Sequence, residues 1–113
     1  MTIKTKLKRG TVYWVNLDPT IGVETKKTRP GVIISNDAQN MVGRSVIIAP
    51  VTSVVKKVYP FEVVVDMAGK KSKIMLDQIR TIDCQRLGSK IGKLNLAEIE
   101  ELDKALKLVL SLG

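Results

Sequence analysis

Residues Thr11–Leu17 read TVYWVNL and stop at Asp18-Pro19. β-Branched and aromatic side chains in such a run, ended by a turn pair, predict a β-strand. Working outward from it, Asp18–Thr28 is polar, holds Gly22 and the pair Lys26-Lys27, and reads as a long loop of the kind that often carries function. Gly31–Ser35 (GVIIS) is a strand of the buried type, closed by Asn36-Asp37, and Asp37–Met41 is a short turn or helical piece before Gly43. Further strands are expected within Ser45–Val55 and at Phe61–Asp66, Lys73–Leu76 and Gln78–Ile82, with a turn at Ala68–Lys71. The tail changes character. Asn95 followed by Glu98 is a capping box, Leu94 and Ile99 fit a hydrophobic staple, and Ile99, Leu102, Leu106 and Val109 recur at helical spacing up to a stop at Gly113. Short strands followed by one terminal helix predict a mainly β protein with a C-terminal α-helix, a small curled β-barrel in a single domain spanning 1–113.

The chain has 113 residues, 44% of them apolar but only 4% aromatic, so its core must be built from Val, Ile and Leu. The longest apolar run, Val46–Val51, is too short to span a membrane. Lys4, Lys6, Lys8 and Arg9 are not followed by a hydrophobic segment, so no secretory leader is expected. Cys84 is the single cysteine, which fits a cytoplasmic location. There is no histidine. That removes Ser-His-Asp and Cys-His catalysis and leaves Arg, Lys, carboxylates and hydroxyls to do any chemistry. Net charge is +8, concentrated before residue 94, while the tail helix carries more carboxylates than cations. A basic body of this kind suits a polyanion: nucleic acid, or an acidic protein segment.

Arg29 precedes Pro30, which holds it extended at the junction of loop and strand. A guanidinium on stiff backbone can grip a phosphate with two parallel hydrogen bonds; the bland alternative is a surface pair with Glu24. Thr52 continues the phase of Val46, Ile48 and Pro50, so a hydroxyl ends an apolar strand face, where it either satisfies a carbonyl or donates to a phosphate oxygen. Asp77 and Gln78 stand between apolar pieces, where a turn would expose them; Asp77 either caps that turn or serves as a base or nucleotide contact. Lys26, Lys27, Lys56 and Lys57 are paired cations able to follow a phosphodiester backbone. Tyr13 and Trp14 point to opposite strand faces, one for the core and one free to stack on a base. Leu108, Leu110 and Leu112 lie off the helix stripe and read either as deeper core or as a dimer contact.

Arg9–Asp37 (RGTVYWVNLDPTIGVETKKTRPGVIISND), Ala49–Ser53 (APVTS), Tyr59–Val64 (YPFEVV) and Leu76–Asp83 (LDQIRTID) together resemble the MazF/PemK family of toxin endoribonucleases over nearly the whole chain. The resemblance implies an SH3-like barrel of the CcdB/MazF type, a homodimer, and sequence-specific cleavage of single-stranded RNA without a metal or other cofactor. It also implies silencing by an acidic antitoxin. Carried over by residue, it places catalysis on Arg29 and Thr52, a loop glutamate on Glu24, and RNA contacts on Ser53, Asp77 and Gln78. Three departures from the family stand out: Thr25-Lys26-Lys27-Thr28 replaces a glycine-rich loop, and Val23 and Met75 stand where some plasmid-borne members carry histidine and arginine. The chemistry is feasible without histidine, because the RNA 2′-hydroxyl is the nucleophile and the protein has only to align it and stabilise the charged phosphorane. Guanidinium groups stay protonated near neutral pH, so Arg29 is assigned electrostatic work, with Glu24 and Asp77 as the alternatives for proton acceptor. The competing expectation is a non-enzymatic toxin of the same barrel that binds DNA gyrase, as CcdB relatives do. The chain lacks the tryptophan-containing C-terminal segment of that group.

Overall fold

Strand β1 (Thr11–Asn16) forms where TVYWVN was expected to extend, and it sits between two neighbours, β2 (Thr28–Ile33) and β7 (Leu87–Lys93). The computed structural model describes residues 6–17 and 28–113, so the expected 18–27 loop, with Glu24, Lys26 and Lys27, lies outside the described residues. β2 begins earlier than the apolar run GVIIS, because Thr28, Arg29 and Pro30 pair with Asn16, Val15 and Trp14. Pro30 is admissible there because β3 (Ser45–Thr52) joins β2 only from Gly31 onward, leaving one flank of Thr28–Pro30 outside that ladder.

Between β2 and β3 runs helix α1 (Asp37–Val42), capped by the Asn36 side chain and ended by Gly43 in the left-handed conformation at φ 76°. β4 (Glu62–Met67) and β5 (Lys70–Met75) make a hairpin through Ala68-Gly69, with φ 52° and 80°. Two positive φ values in a two-residue turn match the right-handed twist of the strands. The turn Leu76–Gln78 then leads to β6 (Arg80–Asp83), and Cys84–Arg86 leads to β7.

All pairings are antiparallel, in the order β4-β5-β3-β2-β1-β7. β3 is the hinge of the sheet: β2 flanks it on one side, and on the other lie β6 beside Ser45–Ile48 and β5 beside Val51–Thr52. The sheet thus curls into a half-barrel with a C-terminal helix, the fold class expected from the sequence. Curling buries both faces of its middle strands. Val12, Val32, Ala49, Val51 and Ile74 belong to one apolar cluster, and Tyr13, Val15, Ile33, Val46 and Ile48 to another on the opposite face. Two buried faces explain why these strands read as continuous apolar runs rather than as alternating ones.

Helix α2 (Leu96–Val109) covers the first cluster with Leu102 and Ala105, and its capping box forms as expected: Asn95 Oδ1 accepts from the Glu98 amide and Glu98 Oε1 from the Asn95 amide. It ends at Val109 rather than running to Gly113, with Ser111 at φ 56°. Leu108, Leu110 and Leu112 are exposed, which removes the reading that they deepen the core of this chain. β7 was not expected. Its stretch LGSKIGK holds two glycines and two lysines, and it is bound on its β1 side through a ladder with two register shifts. Arg9 also takes an unforeseen part. Its amide donates to Asp37 Oδ1 (3.0 Å), its Nε to the Ile34 carbonyl (2.9 Å) and its Nη2 to Asp103 Oδ1 (2.8 Å), tying the entrance of β1 to α1 and α2.

Candidate functional site

Arg29 and Thr52 are far apart in the chain, and the strand register brings them together. In the β2–β3 ladder Gly31 faces Pro50, Val32 faces Ala49 and Ile33 faces Ile48. Continued two residues past its last pair, that register sets Arg29 across from Thr52. At Gly31 a β-carbon would lie 2.8 Å from Val15 Cγ2 on β1, too close to be accommodated, and at an ordinary contact distance of 3.5 Å from Ile48 Cδ1 on β3. A side chain there would displace Val15, the register partner of Arg29 on β1.

Both residues line one cavity of about 400 Å³, together with Trp14, Ser53, Lys70 and Ser72. Its floor is apolar, from Pro30, Val51, Met67 and Ile91. No carboxylate is among the described lining residues, and no described carboxylate lies within ion-pair distance of Arg29. The cavity is therefore a cationic recess with an apolar base, suited to an anion attached to a flat, partly apolar group. Thr52 Oγ1 accepts the Val54 amide at 3.2 Å, which fixes the oxygen and leaves the hydroxyl proton to donate.

The structure separates the two strand-one aromatics as expected. Tyr13 is in the second core cluster, where burial pushes its phenol pKa up from 10.0, while Trp14 is 43% exposed and lines the cavity. Ser53 lines the cavity as well; Lys56 and Lys57 follow it in the exposed segment between β3 and β4. Lys57 Nζ sits 4.9 Å from the centroid of the Tyr59 ring, which stacks in turn on Phe61 at 5.3 Å. Asp77 and Gln78 occupy the exposed turn Leu76–Gln78, anchored by buried Leu76, and are not among the cavity's lining residues. Gln78 Nε2 lies 3.6 Å from Met75 Sδ. Glu24, Lys26 and Lys27 lie outside the described residues.

Two lining residues, Lys70 and Ser72, were missed from the sequence. A signal for Lys70 exists: it follows directly on the turn at Ala68-Gly69, where a side chain stands clear of the sheet. A larger depression of about 570 Å³, between α1 and the β3–β6 pair, is lined by Gln39, Arg44 and Asp83 among others and gathers none of the expected site residues. Among the described residues no three His, Cys, Asp or Glu side chains are grouped so that they could hold a metal ion. No helix among them is long and apolar enough to cross a membrane.

Comparison with known proteins gives a concordant picture. Residues 8–110 match the family described as PemK-like, MazF-like toxin of type II toxin–antitoxin system. Endoribonuclease MazF9 of Mycobacterium tuberculosis is 42% identical, over 94% of this chain and 98% of its own length. Endoribonuclease EndoA of Bacillus subtilis is 38% identical, over 94% and 96% respectively. Among solved structures, MazF in a MazE–MazF crystal structure from Deinococcus radiodurans has a TM-score of 0.79 at 26% identity, covering 97% of this chain and all of that one.

Proposed function

This chain belongs to the PemK-like, MazF-like toxin family of type II toxin–antitoxin systems, and on that premise we propose that it is an endoribonuclease that cuts single-stranded RNA at short sequence motifs from the Arg29–Thr52 cavity. The observation that supports the assignment is a single cavity lined by both a guanidinium without a described carboxylate partner and a hydroxyl whose oxygen is held by the Val54 amide. The gyrase-binding alternative is not favoured, since the relatives matched over nearly the whole chain are named as endoribonucleases.

The scissile phosphate sits between the two strand ends. The adjacent ribose 2′-hydroxyl gives up its proton to a carboxylate and attacks phosphorus, the bond to the 5′-oxygen breaks as that oxygen takes up a proton, and the products are a 2′,3′-cyclic phosphate and a free 5′-hydroxyl. Arg29 neutralises the equatorial oxygens of the five-coordinate intermediate and Thr52 donates a hydrogen bond to one of them, both fixed before the charge develops. Because the nucleophile belongs to the substrate, no metal-activated water is required. Trp14 offers a face on which a base can stack, and Lys56, Lys57 and Lys70 follow the backbone on either side of the cut. The proton acceptor is Glu24 or Asp77; Gln78, Ser53, Lys26 and Lys27 complete the RNA contacts.

The working form is a cytoplasmic homodimer held in check by an acidic cognate antitoxin. Support for the dimer comes from the exposed Leu108, Leu110 and Leu112 at the end of α2. Support for the antitoxin comes from the family and from the MazE–MazF assembly of D. radiodurans.

Incubating a long RNA with the protein in EDTA tests the assignment. Discrete fragments with cyclic phosphate ends are expected, and Arg29→Ala should slow their appearance by roughly 100-fold or more while leaving the fold intact. A substrate with a 2′-deoxy sugar at the cut should bind and stay whole. Parent-rate cleavage by Arg29→Ala, or cleavage of the deoxy substrate, would overturn the assignment.

A further inference from the structure

Lys73 and Glu62 form an ion pair that no part of the proposed chemistry uses. Lys73 Nζ lies 2.9 Å from Glu62 Oε1, and the side chains are only 11% and 6% exposed. Two charges held out of water in so small a domain are costly unless further hydrogen bonds satisfy them. Here those bonds go to one place. Lys73 Nζ also donates to the Lys57 carbonyl at 2.6 Å, and Glu62 Oε1 also accepts the Tyr59 amide at 2.9 Å. The pair thus grips the backbone of the otherwise exposed segment between β3 and β4 on both sides of Val58. The grip is close to the site, since Lys73 is the register partner of Thr52 on β3 and of Val64 on β4, with Glu62 its diagonal neighbour on the same face.

We infer that Lys73 and Glu62 are positioning residues for RNA binding: they hold the segment from Ser53 to Phe61 so that the Lys57 ammonium, braced over the Tyr59 ring, meets a phosphate next to the one at Arg29 and Thr52. The inference rests on the Arg29–Thr52 reading of the cavity. Neither side chain touches substrate. Their work is to remove, before binding, the freedom of a chain segment that would otherwise be ordered at the expense of affinity. The buried pair serves this better than an apolar pair would, because only hydrogen-bonding groups can hold a carbonyl and an amide of the loop at once.

The test compares the parent protein with Lys73→Met/Glu62→Gln. That double variant buries no charge, retains an acceptor for the Tyr59 amide and removes the bond to the Lys57 carbonyl. Cleavage of a short RNA should show kcat within about twofold of the parent and KM raised about five- to tenfold. The slope of log affinity against log salt should shrink by about 0.7, the loss of one phosphate contact on a single strand. Lys57→Gln should raise KM in the parent background and add nothing in the double variant. Lys73→Arg, which retains donors for both partners, should restore most of the parent KM. A folded double variant with parent KM and parent salt slope overturns the inference, as does a Lys57→Gln effect of equal size in both backgrounds.

If the double variant does not fold, amide exchange in the unmodified protein decides. The Tyr59 amide should exchange at least about tenfold more slowly than those of its exposed neighbours, and an unprotected Tyr59 overturns the grip. Failure of the cavity reading is distinguishable, since it appears as parent-rate cleavage by Arg29→Ala whatever the Tyr59 amide does.

Discussion

At the entrance of β1, Arg9 donates to Asp37, to the Ile34 carbonyl and to Asp103; at the other end of the β1–β2 pair, Arg29 has no described carboxylate within reach and opens into a cavity. The Arg9 side chain, with its backbone amide, fastens three segments of the fold in one place, whereas the Arg29 side chain is left open to a ligand in the other. Their surroundings make the difference. Near Arg9 the helices supply acceptors at fixed positions, whereas the walls around Arg29 come from strand ends and a hairpin turn that offer hydroxyls, an indole and another cation. A cation already surrounded by acceptors contributes to stability. One left without them is available for a ligand.

The contrast can be broken by substitution. The largest effect should come at the open end. Thr52→Val is nearly isosteric and removes the hydroxyl, so single-turnover cleavage should slow by about 100-fold with melting little changed. An unaltered rate would remove Thr52 from the chemistry. Arg9→Ala should act the other way round, lowering stability by about 1–2 kcal/mol, mainly because the Ile34 carbonyl loses its donor, with little contribution from the half-exposed pair to Asp103. For a chain of this size that is a fall of roughly 5–15 °C in Tm, read by thermal unfolding, while cleavage per folded molecule stays at the parent level.

The smallest effect is one of pH. The Arg9 amide, followed by the Asn40 side chain and the charges of Lys8 and Arg9, holds the Asp37 carboxyl below its ordinary value of 3.8 against an opposing desolvation. A lowered carboxyl pKa stabilises the fold above the unfolded value and ceases to do so as pH falls through the folded one. Asp37→Asn should therefore melt below the parent at neutral pH, with the gap closing below about pH 4. A gap that stays constant down to pH 2 would show that the carboxylate charge is not what the Arg9 junction uses.

Much of this was legible in the sequence, and the failures have physical causes. The capping box of Asn95 and Glu98 is a local pattern that formed as read. The turn expected at Ala68–Lys71 forms at Ala68-Gly69 alone, with Lys70 and Lys71 already in β5, and the buried strands behaved as read, since apolar runs and turn residues express themselves within a few positions. β7 was missed because Gly88, Ser89, Lys90 and Gly92 give no strand signal of their own; pairing with β1 supplies it. Arg29 and Thr52 could be picked out by residue type, but their apposition is a matter of register, which no local pattern encodes. The Lys73–Glu62 pair left no trace either, since two charges in neighbouring strands look like ordinary solvated positions until the hairpin register makes them diagonal neighbours.

The β2–β3 ladder halts at Gly31 and Pro50, two residues short of Arg29 and Thr52, and each of these is tied on its outer flank alone, to Val15 and to Lys73. The two side chains thus flank an open mouth at the end of the ladder, each anchored by its outer neighbour. In the proposed reaction a phosphate can enter that mouth and meet both groups without unzipping any rung behind them.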